Sequence, residues 1–287
     1  MTRSTPPTDG RAPVLVSRQD GVTTLTMNRA KSLNGWTAEL LLALRAALEA
    51  AATDPATDAV VLTGSGRYYC AGVNLSGTLQ LAPPPQVHER IRSHNQALFD
   101  LFIEFPKPLV AAINGPTIGA AVTTATLCDL VLAVPAATFS TPFAALAVPP
   151  EGCSSVVFPR VMGAEQAERM LGAEGWVPNA AEAAAVGLID GVVEPVALLP
   201  TARAKARELA DAVAAGGPAR RYRGPSTREE LLAANAAESI QIANAFLSPP
   251  FLRAQTAFLW RKRKRVPAMV FATLWATRPA WGWSLPS

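Results

Sequence analysis

Residues 107–133 read KPLVAAINGPTIGAAVTTATLCDLVLA. The run LVAAI at 109–113 is short and wholly apolar, and Asn114-Gly115-Pro116 ends it, a trio that punctuates chains. Small residues then follow from Gly119 to Cys128 with the composition of a helix, and 130–134 is apolar again. Strand, turn, helix, strand is the reading. Strands apolar along their whole length belong in a sheet covered on both faces. Working outward, AVVLT at 59–63 ends on Gly64-Ser65-Gly66, and residues 36–52, WTAELLLALRAALEAAA, are apolar at helical spacing. VLVSRQDGVTTLTM at 14–27 predicts two strands hinged at Asp20-Gly21. The fold class is α/β, with parallel strands under helices.

The same reading places helices at 87–104, 164–171 and 180–186, and a strand at 191–196. An alanine-rich helix runs from 198 to about 215, and helical sequence covers 227–263 with a break at Ser248-Pro249-Pro250. There is no internal repeat. The expected layout is a loose, polar, proline-bearing arm at 1–12, a β/α core at 13–200, a helical region at 201–265 and an extension at 266–287.

With 287 residues, 49% of them hydrophobic and 17% charged, the chain has ample core and little room for long disorder. The net charge of +4 can come largely from RKRKR at 261–265, so a nucleic-acid binder is not the expectation. Three scattered cysteines, Cys70, Cys128 and Cys153, give no disulfide framework and suit a reducing cytoplasm. The charge-free runs 108–128 and 130–150 are broken by Pro, Gly, Asn and Thr, so they read as buried core and not as membrane spans.

Between residues 108 and 159 the only charged side chains are Asp129 and Glu151. Glu151 stands in STPFAALAVPPEGCSS, residues 140–155, behind two prolines and ahead of a glycine. A carboxylate in such surroundings is paired, solvent-reaching or functional, because burial without partners is expensive. The residues alone leave all three open. Two loops, 64–75 and 114–124, follow strands and lead toward helices. Their small residues Ala71, Gly72, Gly119, Ala120 and Ala121 would let a ligand approach main-chain N–H groups, and a pair of such loops could make an oxyanion hole. Each loop taken singly also reads as an ordinary strand-to-helix turn. His88 and His94 fall in a helix expected to be exposed, so no Cys–His pair forms. Metal-ligand spacing is absent, and Ser154 and Ser155 lack a nucleophile elbow. Asp129 reads as a structural cap.

VVLTGSGRYYCAGVNLSG at 60–77, followed by the 107–133 stretch, resembles the crotonase (enoyl-CoA hydratase/isomerase) superfamily. TMNRAKSLNGWTAELLLAL, residues 26–44, resembles its N-terminal strand and helix. The resemblance covers about residues 14–194. It implies a ββα spiral core with a helical C-terminal region, an acyl-CoA thioester as substrate, and a homotrimer or dimer of trimers. It implies no metal or other cofactor, since coenzyme A enters as part of the substrate. Carried over, the oxyanion-hole N–H groups are those of Ala71 and Ala120. Lys31, Ser32 and Leu33, with Gly72, Val73, Asn74, Leu75 and Gly119, would line the substrate and CoA site. The cluster at 261–265 could reach a CoA phosphate or could simply be a solvated helix end.

Departures from the pattern narrow the reaction. The two glutamates with which hydratases handle water fall on Thr123 and Phe143 here, and neither can serve as a base. FSTPFAALAVPPEGCSSVVFP, residues 139–159, resembles instead the peroxisomal-type Δ3,Δ2-enoyl-CoA isomerase branch, whose catalytic glutamate becomes Glu151. The implied activity moves a 3-enoyl double bond to the 2-trans position through a dienolate. Hydration or thioester hydrolysis, or a non-catalytic acyl-CoA-binding role, are the alternatives.

Overall fold

The computed structural model describes residues 12–73 and 82–281. The elements run β1 (Val14–Gln19), β2 (Val22–Met27), α1 (Ala38–Thr53), β3 (Ala59–Gly64), α2 (Pro84–Ile103), β4 (Leu109–Ile113) and β5 (Thr117–Ile118). Then come α3 (Ala120–Thr126), β6 (Leu130–Ala133), β7 (Phe139–Ser140), α4 (Ser154–Met162), α5 (Ala164–Leu171), α6 (Ala180–Ala185) and β8 (Gly191–Val192). Four helices finish the chain: α7 (Leu198–Ala214), α8 (Arg228–Phe246), α9 (Pro249–Arg261) and α10 (Arg265–Trp281). They fall into two compact units, interleaved along the chain.

Of the described residues, the first unit comprises 12–73, 105–139 and 178–223. Its sheet has the order β1-β2-β3-β4-β6-β8, antiparallel between β1 and β2 and parallel thereafter. The hairpin forms at Asp20-Gly21 as expected, both residues having positive φ, the geometry whose twist suits a two-residue turn. Gly21 has φ +75, a backbone that favours glycine, and a Cβ there would also crowd the Asp58 carboxylate. The central strand β4 is fully buried, as its unbroken apolar run requires. Helix α1 turns the stripe Leu40, Leu44, Leu48 and Ala51 inward and packs on β1 and β2. Helix α7 lies along β2, β3 and β4 with Ala202, Ala206 and Ala210 inward, small side chains that let helix and sheet approach closely. Asp129 is structural, as its sequence suggested. Its carboxylate takes Arg220 Nε at 2.7 Å and the Leu109 N–H at 2.8 Å, and Arg220 also donates to the Leu127 and Phe105 carbonyls. The expected strand at 191–196 shrinks to β8. Val193 N–H still reaches Ala133, but Pro195 has no N–H to carry the ladder further.

Of the described residues, the second unit comprises 82–104, 140–177 and 224–281. Helices α2 and α8 pack side by side, and α9 and α10 form a helical pair. Val87, Ile91, Ile242, Phe251, Leu259 and Phe271 belong to one apolar cluster, in which Phe246 stacks on Phe251 at 4.5 Å between centroids. The extension beyond 265 is therefore folded through Trp281 as α10, with Ala268, Phe271 and Leu274 buried. Helix α4 was invisible in the sequence, because SSVVFPRVM combines β-branched residues with an internal Pro159. His88 is buried and not exposed as expected. Its ring nitrogen pairs with Asn244 Oδ1 at 2.9 Å, across α2 and α8. Among the described residues no helix is long and apolar enough to cross a membrane.

Candidate active site

In the first unit, the segment leaving β3 is laced on both sides. The Ala71 N–H donates to the Leu33 carbonyl at 3.0 Å and the Trp36 N–H to the Gly72 carbonyl at 2.8 Å, while the Ile118 N–H donates to the Cys70 carbonyl at 3.0 Å. Buried Asn34 ties the loops together, its amide donating to the Ser65 and Tyr68 carbonyls and its oxygen accepting the Arg29 N–H. Ala71, expected to hold the substrate oxygen, has its N–H engaged by the Leu33 carbonyl in this structure. The N–H of Val73, two residues on, has no acceptor among the described residues.

The Ala120 expectation meets no such conflict. Ala120 opens α3, so its N–H, like that of Ala121, lacks an intrahelical partner, and none is supplied among the described residues. Gly119 has φ +60 and ψ −130, a conformation open essentially to glycine. A Cβ there would meet nothing within 4 Å, so the space beside the helix start is open. Thr123 is fully buried with its hydroxyl donating to the Ala120 carbonyl at 3.1 Å, a structural role and not that of a base. Lys31 and Ser32 lie exposed on a short 3-10 turn, and Leu33 takes a left-handed backbone at its end. Asn74 and Leu75 lie outside the described residues. Residues 261–265 are exposed, with the Arg265 guanidinium 4.2 Å from the Trp260 ring centroid.

In the second unit, Glu151 is half-buried and precedes α4. Asn95 Nδ2, from α2, donates to its Oε2 at 2.7 Å. Desolvation pushes the Glu151 carboxyl up to about 7, opposed by the Asn95 hydrogen bond and assisted by the charge of Glu238. The Ser239 hydroxyl donates to Asn95 Oδ1 at 2.9 Å, which turns the Nδ2 edge of that amide toward Glu151. Asn235 in turn donates to the Gln96 carbonyl and to Asp100. Cys153 is buried, its thiol donates to the Leu231 carbonyl at 3.2 Å, and burial pushes its pKa far up, so it is no nucleophile. Phe143 is buried at 3% exposure. Among the described residues no cluster of His, Cys, Asp and Glu is placed to hold a metal.

Sequence reasoning missed Asn95, Glu238 and Ser239. A signal was present. Helix α8 buries Leu231, Asn235, Glu238, Ser239 and Ile242 along one stripe, so three polar residues occupy positions that helical periodicity assigns to the core.

The family model described as enoyl-CoA hydratase/isomerase matches residues 17–217. The chain belongs to the enoyl-CoA hydratase/isomerase family. It is similar to enoyl-CoA delta isomerase 2 of Homo sapiens, 36% identical over 258 residues, covering 88% of this chain and 64% of the relative. It is also similar to the peroxisomal enoyl-CoA delta isomerase 3 of Mus musculus, 39% identical over 182 residues, 62% of this chain and 56% of that one. The chain thus spans less than two-thirds of either relative. A crystal structure of an enoyl-CoA hydratase/isomerase from Pseudoalteromonas atlantica T6c superposes with a TM-score of 0.71 at 27% identity, covering 88% of this chain and 97% of that one. OdaA of Pseudomonas aeruginosa gives 0.72 at 28% identity over 87% and 99% of the two chains. As a member of this family the chain carries the expected α/β fold, and the family's chemistry is that of acyl-CoA thioesters.

Proposed function

We propose that this enoyl-CoA hydratase/isomerase family member is an acyl-CoA isomerase that shifts a 3-enoyl double bond to the 2-trans position. The observation that carries the reading is the carboxyl of Glu151, desolvated to about 7 and held by one neutral amide. A carboxylate of that basicity is matched to proton transfer near neutral pH. The absence of a carboxylate at both water-handling positions, Thr123 and Phe143, favours isomerisation over hydration.

In the proposed reaction, Glu151 takes a proton from C2 of the thioester. The C2–H electron pair becomes the C1–C2 double bond of a dienolate, and the charge moves onto the thioester oxygen. Main-chain N–H groups at Val73 and Ala120 stabilise that oxygen, a contribution on the order of 10²–10³ in rate per donor. Collapse of the dienolate draws the proton from Glu151 onto C4, which leaves the double bond between C2 and C3 and restores the base. The reading takes coenzyme A as part of the substrate and asks for no metal or redox cofactor. It keeps the trimeric assembly and cytoplasmic setting expected from the sequence. The human and mouse relatives named as delta isomerases support it.

The test is turnover of 3-enoyl-CoA esters, followed by chromatography of the 2-trans product, in the native chain and in Glu151→Gln. We expect the variant to fold and bind acyl-CoA while losing about 10²–10⁴ in kcat. Equal activity in the variant would remove Glu151 from the reaction. Binding without conversion by the native chain would favour an acyl-CoA-binding role.

A further inference from the structure

A second carboxylate lies behind Glu151. Glu238, on α8, is 3% exposed, and its two oxygens receive three donors. Oε2 accepts the Cys153 N–H at 2.6 Å, and Oε1 accepts both the Ser155 N–H at 3.1 Å and the Ser155 hydroxyl at 2.5 Å. All three come from the turn that begins at Glu151 and opens α4. That turn is unusual: Gly152 and Cys153 have φ of +63 and +64 in succession. For a side chain such as that of Cys153 this backbone is strained and persists only when its surroundings enforce it. Ser154 completes the turn, its N–H and hydroxyl both donating to the Glu151 carbonyl, the latter at 2.7 Å.

We propose that Glu238 is a positioning residue for Glu151, acting through the 151–155 turn and through its own charge. This rests on the reading of Glu151 as the base. Burial pushes the Glu238 carboxyl up, and the three converging donors and the start of α4 oppose that shift by favouring the ionised form, which only accepts. Glu238 and Ser239 are adjacent on α8 and act on Glu151 by two routes. Glu238 holds the backbone of the turn, and Ser239 orients the amide of Asn95 that holds the carboxyl. The charge of Glu238 is also among the influences that raise the proton affinity of Glu151. Asp100 on α2 is a carboxyl pushed up first by desolvation, and the Cys153 thiol is kept protonated. Arginines on these helices are engaged in pairs, Arg92 with Glu89, Arg160 with Glu230 and Arg228 with Glu104.

The test compares Glu238→Gln and Glu238→Asp with the native chain, by the pH profile of kcat/KM and by carboxyl-carbon NMR of Glu151. In Glu238→Gln we expect a loss of about 10- to 100-fold in kcat with KM little changed. The titration of Glu151 should move to lower pH, because a like charge has gone. Glu238→Asp keeps the charge, so it should lose rate without moving the titration. A purely structural role would lower activity in both variants and leave the NMR titration in place, and that result overturns the proposal. If Glu238→Gln fails to fold, Ser155→Ala removes one of the three donors, the hydroxyl, and should lower kcat several-fold at an unmoved titration; unchanged kcat there overturns the clamp. The NMR titration reads Glu151 without turnover, so failure of the isomerase reading is seen separately, as a native chain inert on 3-enoyl esters.

Discussion

Replacing Asn95 by alanine removes the one side-chain donor among the described residues that steadies the ionised form of Glu151. Desolvation has already carried that carboxyl to about 7. A hydrogen bond to a charged group at a half-buried site is worth about 1.5 kcal/mol, or about one unit on the pH scale. The Asn95→Ala carboxyl should therefore titrate about one unit higher. At pH 7 its ionised fraction falls from about half to about one-tenth, so turnover should drop about fivefold. The loss is pH-dependent and should largely vanish by about pH 9, where both forms are ionised. The assay is kcat/KM on a 3-enoyl-CoA ester from pH 5 to 10, with only the acid limb expected to move. Ser239→Ala, which frees the Asn95 amide to turn, should give a smaller shift in the same direction. An acid limb that stays put in Asn95→Ala, or moves to lower pH, refutes the reasoning.

Glu151 also makes folding stability depend on pH. Its folded-state pKa is raised, so its contribution is fully present below about 4.5 and is lost as the pH rises through about 7. Glu151→Gln should then melt higher than the native chain at pH 8, by the equivalent of about 2–3 kcal/mol, and nearly level with it at pH 4. Exchanging the Val73 amide for an ester, which deletes one N–H, should cost about 10²–10³ in kcat, whereas the same exchange at Ala71 should cost about 1 kcal/mol of stability and little rate. A reversed pattern would restore Ala71 as the donor. Arg220→Ala should lower stability by about 3–5 kcal/mol in denaturant titrations, because it strands the carboxylate of Asp129 in the interior.

The longer strands β1 to β4 and β6, the hairpin at Asp20-Gly21 and most helices of the chain were legible in its sequence, because each is encoded locally. Apolar runs mark β3 and β4, a 3.6-residue stripe marks α1, and Pro and Gly punctuate between them. Helix α4 escaped because the proline and β-branched residues within it argue against a helix, and only packing overrides them. The isolated carboxylate at Glu151 also stood out, since its neighbours carry no charge.

What the sequence could not assign is which groups are already spoken for. The N–H of Ala71 looks available until the Leu33 carbonyl, nearly forty residues earlier, is found bonded to it. Asn95, Glu238 and Ser239 belong to helices far from Glu151 in the chain, and nothing in their spacing ties them to it. Composition and periodicity report what each segment prefers. The basicity of a carboxyl depends on the water, amides and charges that other segments bring within hydrogen-bonding distance, and those neighbours exist only once the chain has folded.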